Sequence, residues 1–373
     1  MTKIMKDKLL AILDRLSNRQ ADLCNKQLMA GFDGFIDSIQ KVVFNHTDNQ
    51  GSGYFQTIED FGRYITAKKS GGFSLETQEI IKKFGGNVPI TANTMARFGV
   101  SAHCIGAFGY PVIDPVFSGM QQNTSLYSYA NPGVTSALEF NDGKIMLAQM
   151  TGLNNADWEI VKKCVGLEKI IKIVENSDLL CLLNWSEVKH INGMWEGLLQ
   201  EVFPVMTRKK KAKTFFDLAD CSMHNMEQIR HALELISQFT SFCDVTLSLN
   251  RNEAYLLSKA LGSTSCDDPG KSGALIFHFL NINTLIVHTS ARSFAWKGSH
   301  IYQADTVLVD KPMISTGAGD NFNAGFCIGE LVDLETEQSL MLANLLAACY
   351  MKNGSSPDLN SIYSFVNEMP VLN

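Results

Sequence analysis

The chain has 373 residues, 45% of them hydrophobic and 19% charged, with a formal net charge of −6. That length supports a full hydrophobic core, and the acidic balance argues against a basic nucleic-acid surface. No uninterrupted apolar stretch is long enough to span a bilayer, so no membrane partner is expected.

The opening residues, MTKIMKDKLLAILDRLSNRQ, read as an amphipathic helix with charges throughout rather than a signal peptide. Leu28-Met29-Ala30-Gly31-Phe32 is a short buried strand. Residues 45–80 are richer in Gly, Ser, Thr and Asn and read as an insertion or mobile cover. Ile90 to Phe98 is helical, and Ala102 to Phe108 is strand-like. Residues 135–150 alternate around Asn141-Asp142-Gly143, a hairpin pattern foreign to a parallel sheet, so this piece projects from the main body.

From residue 158 the pattern alternates. Helical 158–175 precedes the strand DLLCLLNW; helical 186–202 precedes KTFFDLA. Helical 225–240 precedes DVTLSLN, with a helix over 252–260 after it. A helix near 272–280 precedes NTLIVHTS; SFAW and HIYQAD are edge strands, and helices 320–331 and 336–352 close the chain. The basic cluster Arg208–Lys211 reads as a solvated helix end. Apolar strands alternating with helices imply a mostly parallel sheet covered on both faces, with ligands beyond the strands' C-terminal ends. Nine cysteines, at 24, 104, 164, 181, 221, 243, 266, 327 and 349, lack CxxC spacing and fit the reduced thiols of a cytoplasmic protein.

Gly317-Ala318-Gly319-Asp320 stands immediately before a small-residue helix. Unpartnered amides and the helix dipole favour an anion there, and the small residues let it approach. A carboxylate beside such an anion suits a base that takes a hydroxyl proton. Two other phosphate readings fail. Gly270-Lys271-Ser272 echoes a Walker A ending, but position 265 is Ser, and Gly31-Phe32-Asp33-Gly34-Phe35-Ile36-Asp37 lacks the dinucleotide GxGxxG.

The run resembles the DTxGAGDxFxxG signature of the PfkB (ribokinase-like) sugar and nucleoside kinases, matching at Thr316, Gly317, Ala318, Gly319, Asp320, Phe322 and Gly325. The resemblance implies that Asp320 is the catalytic base and that the amides of 317–320 hold the transferring phosphoryl group. Asn250-Arg251-Asn252-Glu253 resembles the family's NxxE motif, which implies that Asn250 and Glu253 position Mg²⁺ and ATP phosphates largely through water. The same two residues also fit a helix capping box, which needs no ligand. Asp37, with Asp33 second, matches the family's acceptor-binding Asp, and a carboxylate accepts from two neighbouring hydroxyls at once.

Phe84-Gly85-Gly86-Asn87 resembles the start of the family's GGxxxNxA, with Ile90 where Asn is usual and Asn87 offering an amide elsewhere. Thr289, in Thr289-Ser290-Ala291, and Asn344, in a small-residue helix, correspond to the nucleotide side. Ile314 replaces the family's Asp near a monovalent-cation site, which leaves that cation's role open. Asp217 and Asp220 are secondary candidates, and His103 and His288 read as core residues.

The resemblance implies an α/β fold: a ribokinase-like central, mostly parallel sheet with helices on both faces, plus a small β lid. Residues 1–27 are a helical extension; 28–373 are the kinase domain, with lid segments about 38–57 and 131–151. The implied reaction is ATP- and Mg²⁺-dependent phosphorylation of a sugar or related polyol. Two alternatives stand beside it. One is a nucleoside kinase of the same fold, with Tyr54, Phe55 and Tyr64 as an aromatic wall; the other is a non-catalytic sugar-binding regulator. Exposed lid edges leave a homodimer through the lid open.

Overall fold

The apolar run after the first helices forms strand β1 (Gln27–Gly31), buried from Leu28 onward. In the computed structural model, which describes residues 2–47, 51–207, 211–263 and 268–370, β1 lies inside a nine-stranded sheet. The other strands in chain order are β2 (Phe35–Thr47), β3 (Gly51–Tyr54), β4 (Thr77–Gly85), β5 (Ser101–Gly106), β6 (Thr124–Ser128) and β7 (Gly133–Phe140). They continue with β8 (Gly143–Gln149), β9 (Leu179–Leu183), β10 (Ala212–Asp217), β11 (Cys243–Asn250), β12 (Thr284–His288), β13 (Arg292–Lys297) and β14 (His300–Asp305).

The large sheet runs β14-β13-β12-β11-β10-β9-β1-β5-β6. Pairing is parallel from β12 to β6, and β13 and β14 close one edge antiparallel. The chain adds β5 and β6 on one side of β1 and the later strands on the other. This reversal opens a crevice at the C-terminal ends of β1 and β9. Two buried clusters, one on each sheet face, show that helices cover both sides.

The N-terminal helix Lys3–Asn18 buries Leu9, Ile12, Leu13 and Leu16 in one of these clusters. At about 1.5–3 kcal/mol per buried aliphatic side chain, that stripe fastens the helix to the core. Its partners include a helix absent from the sequence reading, Leu359–Glu368, so three helices rather than two close the chain. Asp358 caps that last helix by accepting from the Ser361 amide.

Residues 45–80 hold, where described, the end of β2, then β3, the helix Ile58–Ala67 and β4. Expectations for the helices change further. The expected helix over 158–175 is two helices, Trp158–Val165 and Leu167–Asn176, broken at Gly166 with φ +92°. The helix expected from 186 begins at Ile191, and Gly270-Lys271-Ser272 lies in the first turn of the helix Pro269–Leu280, capped by Asp268. Arg208–Lys210, Ser265 and Cys266 lie outside the described residues.

The hairpin forms as expected, β7 against β8, and joins a second sheet ordered β3-β2-β7-β8 with β4 also paired to β2. That sheet therefore spans more than 38–57 and 131–151: β4 is its additional member. Its own core is Val42, Phe55, Phe61 and Leu138, with Tyr64 and Phe140 packed alongside.

Candidate active site

Asp33 follows β1 at the crevice and is fully buried. Its carboxylate accepts from the amides of Asn87 and Val88, both at 2.8 Å, capping the helix Asn87–Arg97 from outside. Asn184, just past β9, donates its Nδ2 to Asp33 at 2.7 Å and to Glu187 at 3.1 Å. Burial raises Asp33 to about 7 despite these three donors. Gly86 has φ +91°, and a Cβ there would stand 2.9 Å from the Asp33 carboxylate. The glycine therefore serves both the turn and the close approach.

Asp37 lies one strand-turn further, on β2 opposite Lys83 of β4. Burial raises it, while Lys83 and Lys144 pull it down. Lys83 is lowered from its ordinary value by burial, against the opposing field of Asp37. A Cβ at Gly85 would overlap the Asp37 carboxylate. The Gly85-Gly86 pair thus makes room for two acids, one on each glycine.

Gly317, with φ +91°, opens the helix Ala318–Leu331. A Cβ on Gly319 would meet nothing within 4 Å, so open space faces this helix start. The Ala318 amide turns back to the Ser315 carbonyl at 3.1 Å, which removes it from the expected set of free amides. Asp320 is nine-tenths buried, and its carboxylate has no hydrogen-bond or ion-pair partner among the described residues, while its backbone carbonyl accepts from the Thr91 hydroxyl at 3.5 Å. Burial first, then the fields of Asp217, Asp33, Asp37 and Glu187, hold it well above the usual carboxylate range. The helix is fixed around it: Thr94 donates to Asn321 at 2.9 Å, and Asn321 donates back to the Gly317 carbonyl at 2.8 Å. Gly325 serves packing, because a Cβ there would come 2.7 Å from the Ala343 Cα of the next helix.

On the other side of the crevice, Asn250 and Glu253 form the capping box in full. The Asn250 amide donates to Glu253 at 2.8 Å and the Glu253 amide to Asn250 at 2.9 Å. Glu253 is nonetheless buried and raised well above its usual value, by desolvation and by Asp217, Asp220 and Asp320. Asp217 is also buried and raised, chiefly by desolvation, although it accepts from the Ala219 amide at 2.7 Å and from Asn323.

Glu253, Asp217 and Asp320 thus form a buried acidic group without a paired lysine or arginine among the described residues, an arrangement suited to a divalent cation. Among the described residues no three His, Cys, Asp or Glu side chains stand close enough to ligate one ion directly.

Other candidates are occupied by the fold. The Thr289 hydroxyl donates to the Arg292 carbonyl at 2.8 Å and accepts from the Ala291 and Arg292 amides, closing the β12–β13 turn. Asn344 is buried and donates to Ser293 at 2.9 Å, tying its helix to the edge strands. Asp220 is exposed and caps a short turn at the Ser222 amide, at 3.0 Å. His288 packs against Phe322 with the ring centroids 4.6 Å apart, and burial lowers it to about 4, while burial also lowers His103. Phe55 and Tyr64 do not wall the crevice; their rings meet each other and Phe44, Tyr64 reaching in from the helix Ile58–Ala67. Tyr54 instead contacts Lys41 and Gln78.

The sequence reading missed Asn184, Glu187, Lys83 and Lys144. The signal for the first two was present: Asn184-Trp185-Ser186-Glu187 ends an apolar strand at the crevice, with the same spacing as Asn250–Glu253.

The prokaryotic ketohexokinase family model matches residues 11–369. A ketohexokinase from Haloferax volcanii is 26% identical over 365 residues, covering 95% of this chain and 96% of that protein. An Arabidopsis thaliana ribokinase complexed with ribose and ATP superposes with a TM-score of 0.65 at 15% identity, covering 92% of this chain and 99% of that one. An adenosine kinase from Sinorhizobium meliloti gives 0.63 at 16% identity, covering 92% and 98%. The structural likenesses establish the ribokinase-like fold, and no helix among the described residues is long and apolar enough to cross a membrane. With a family match over nearly its whole length, the chain belongs to the prokaryotic ketohexokinases and so to the ATP-dependent carbohydrate kinases of the PfkB type.

Proposed function

We propose that this protein transfers the γ-phosphoryl group of ATP to a hydroxyl of a ketohexose, with Asp320 as general base. One observation carries the reading. Asp320 is a buried carboxylate without a partner among the described residues, one residue past an open glycine at a helix start, and it feels acids from both sides of the crevice. A base with a raised pKa takes a hydroxyl proton more readily than an exposed carboxylate. The ketohexose is taken from the Haloferax relative's name, and Asp37 and Asp33 lie on the side assigned to it.

In this scheme Asp37 accepts from acceptor hydroxyls, while Asp33 is largely committed to capping the helix Asn87–Arg97 and sets the floor of the pocket. Asp320 takes the proton of the attacking hydroxyl. The acceptor oxygen bonds to the γ-phosphorus, the bond to the bridging oxygen breaks, and ADP leaves with that electron pair. The amides of Gly317, Gly319 and Asp320 face the charge on the moving group. When bound, Mg²⁺ supplies positive charge to the phosphates; Glu253, Asn250 and Asp217 are the residues that would hold its waters. The five-stranded sheet serves as the lid that excludes water.

The nucleoside reading loses support because two of the three aromatic residues expected to stack on a base, Phe55 and Tyr64, pack inside the lid. The test is ADP release with ATP, Mg²⁺ and a panel of ketohexoses, aldoses and nucleosides, for the wild type and Asp320→Asn. Turnover on a ketohexose that falls by about 10³-fold or more in Asp320→Asn is the expected result. Absence of turnover on any alcohol, or an unchanged rate in that variant, would overturn the proposal.

A further inference from the structure

Tyr350 lies in the last turn of the helix Thr336–Asn353 and is only 4% exposed. Its hydroxyl donates to the Thr316 carbonyl at 2.8 Å, joining that helix to the turn from which the Asp320 helix starts. Burial raises the phenol to about 12, and the fields of Asp320 and Asp37 add to the rise. The group therefore stays a protonated donor at any working pH. It also lies within electrostatic reach of both the base and the acceptor-side acid.

Both carbonyls that flank Gly317 accept from side chains: that of Thr316 from Tyr350, and its own from the Asn321 Nδ2 at 2.8 Å. A carbonyl and the next amide share one planar unit, and in a trans peptide they point in opposite directions. The Thr316–Gly317 peptide is trans, so the bond to Tyr350 fixes the Gly317 amide on the side away from that helix. The Ala318 amide returns to the Ser315 carbonyl, whereas the Gly317 amide has no acceptor among the described residues. The turn is anchored a second time to the same helix, where the Met313 amide donates to the Met351 carbonyl at 2.8 Å. Tyr350 thus holds the one peptide plane of this turn whose amide is left for a ligand.

We propose that Tyr350 is a positioning residue for phosphoryl transfer: by holding the Thr316 carbonyl, its hydroxyl aims the Gly317 amide at the charge on the transferring group. This rests on the phosphotransferase reading above and adds to it a residue that touches neither substrate. Without the hydroxyl the peptide plane is free to rotate about its two flanking dihedrals, and the amide loses its aim. The amide's contact strengthens as charge builds on the transferring group, so the loss falls on the transition state more than on sugar or ATP binding. The ring does separate work, packing against Gly317, where an added Cβ would stand 3.1 Å from its Cζ.

Two measurements on Tyr350→Phe, which keeps the ring and removes one oxygen, test it. In steady-state kinetics kcat falls by about 10- to 100-fold, with the KM of sugar and of ATP each within about twofold of wild type. In calorimetry without turnover, the wild type binds MgADP with aluminium fluoride, a stand-in for the transferring group, more tightly than MgADP alone. Tyr350→Phe loses most of that preference while its affinity for MgADP alone is kept. A normal kcat, a loss confined to KM, or an unchanged preference for the fluoride complex would overturn the proposal. So would a loss of activity that only follows a smaller folded fraction in thermal melting, which would leave Tyr350 a packing residue. An inactive wild type would instead count against the phosphotransferase reading, and the calorimetric comparison would still decide the role of Tyr350.

Discussion

Asn323 donates its Nδ2 to the carboxylate of Asp217, tying the end of β10 to the helix that carries Asp320 one turn earlier. The bond holds two acids of the crevice in fixed relation, and both its partners are buried. Replacing Asn323 with Leu leaves a buried carboxylate short of a donor, at a cost of about 1–3 kcal/mol. Urea unfolding should show a lower midpoint at unchanged slope, and kcat should fall with it. An unchanged midpoint would mean that the bond contributes nothing net.

The acid limb of the rate profile follows from the same cluster. Asp320 acts as a base only when ionised, and burial with four acidic neighbours holds its pKa above the usual carboxylate range. The limb of kcat/KM should therefore lie at higher pH than for an exposed Asp. Asp217 is the largest charged contributor and Glu187 the smallest of those named, so Asp217→Asn should move the limb down further than Glu187→Gln. Profiles measured at saturating Mg²⁺ check the order.

Acceptor binding should respond to a single methyl group. Gly85→Ala places a Cβ where the Asp37 carboxylate now lies. The acid must swing away, and the sugar KM should rise by about 10-fold or more, the equivalent of a lost charged hydrogen bond. ATP affinity should stay within about twofold of wild type, since the change is local to the acceptor side. Isothermal titration with each ligand separates the two effects.

Asp33 gives stability a pH dependence. Its folded pKa of about 7 exceeds the reference value of 3.8, so the native state holds this proton more tightly. The stabilisation is fully present below 3.8 and is lost as pH rises through about 7. Asp33→Asn should flatten the fall in unfolding free energy across that window. The variant also leaves one helix amide uncapped, lowering overall stability by about 0.5–2 kcal/mol.

Gly317→Ala tests the turn itself. The residue sits at φ +91°, and the added Cβ would stand 2.7 Å from the Tyr350 hydroxyl, which donates to the Thr316 carbonyl at 2.8 Å. Left-handed backbone costs a β-carbon residue about 1 kcal/mol, and the clash adds to it. The helix start should shift, with kcat falling by at least about 10-fold while sugar binding persists.

Much of this was legible in the sequence because it is local. Gly317–Asp320 before a small-residue helix, the Asn250–Glu253 spacing and the Asn141-Asp142-Gly143 hairpin each depend on chain neighbours. The apolar strand runs also marked a parallel sheet, since strands buried on both faces cannot alternate. Tertiary structure decided what those residues do with their side chains. Thr289 and Asn344 looked available and are spent on a turn and a helix contact. Asn184 and Lys144 reach partners 151 and 172 residues away, Asp33 and Thr316. Hydrogen-bond spending and the convergence of charge are properties of the packed molecule; no window of sequence contains both partners, so only the fold could assign them.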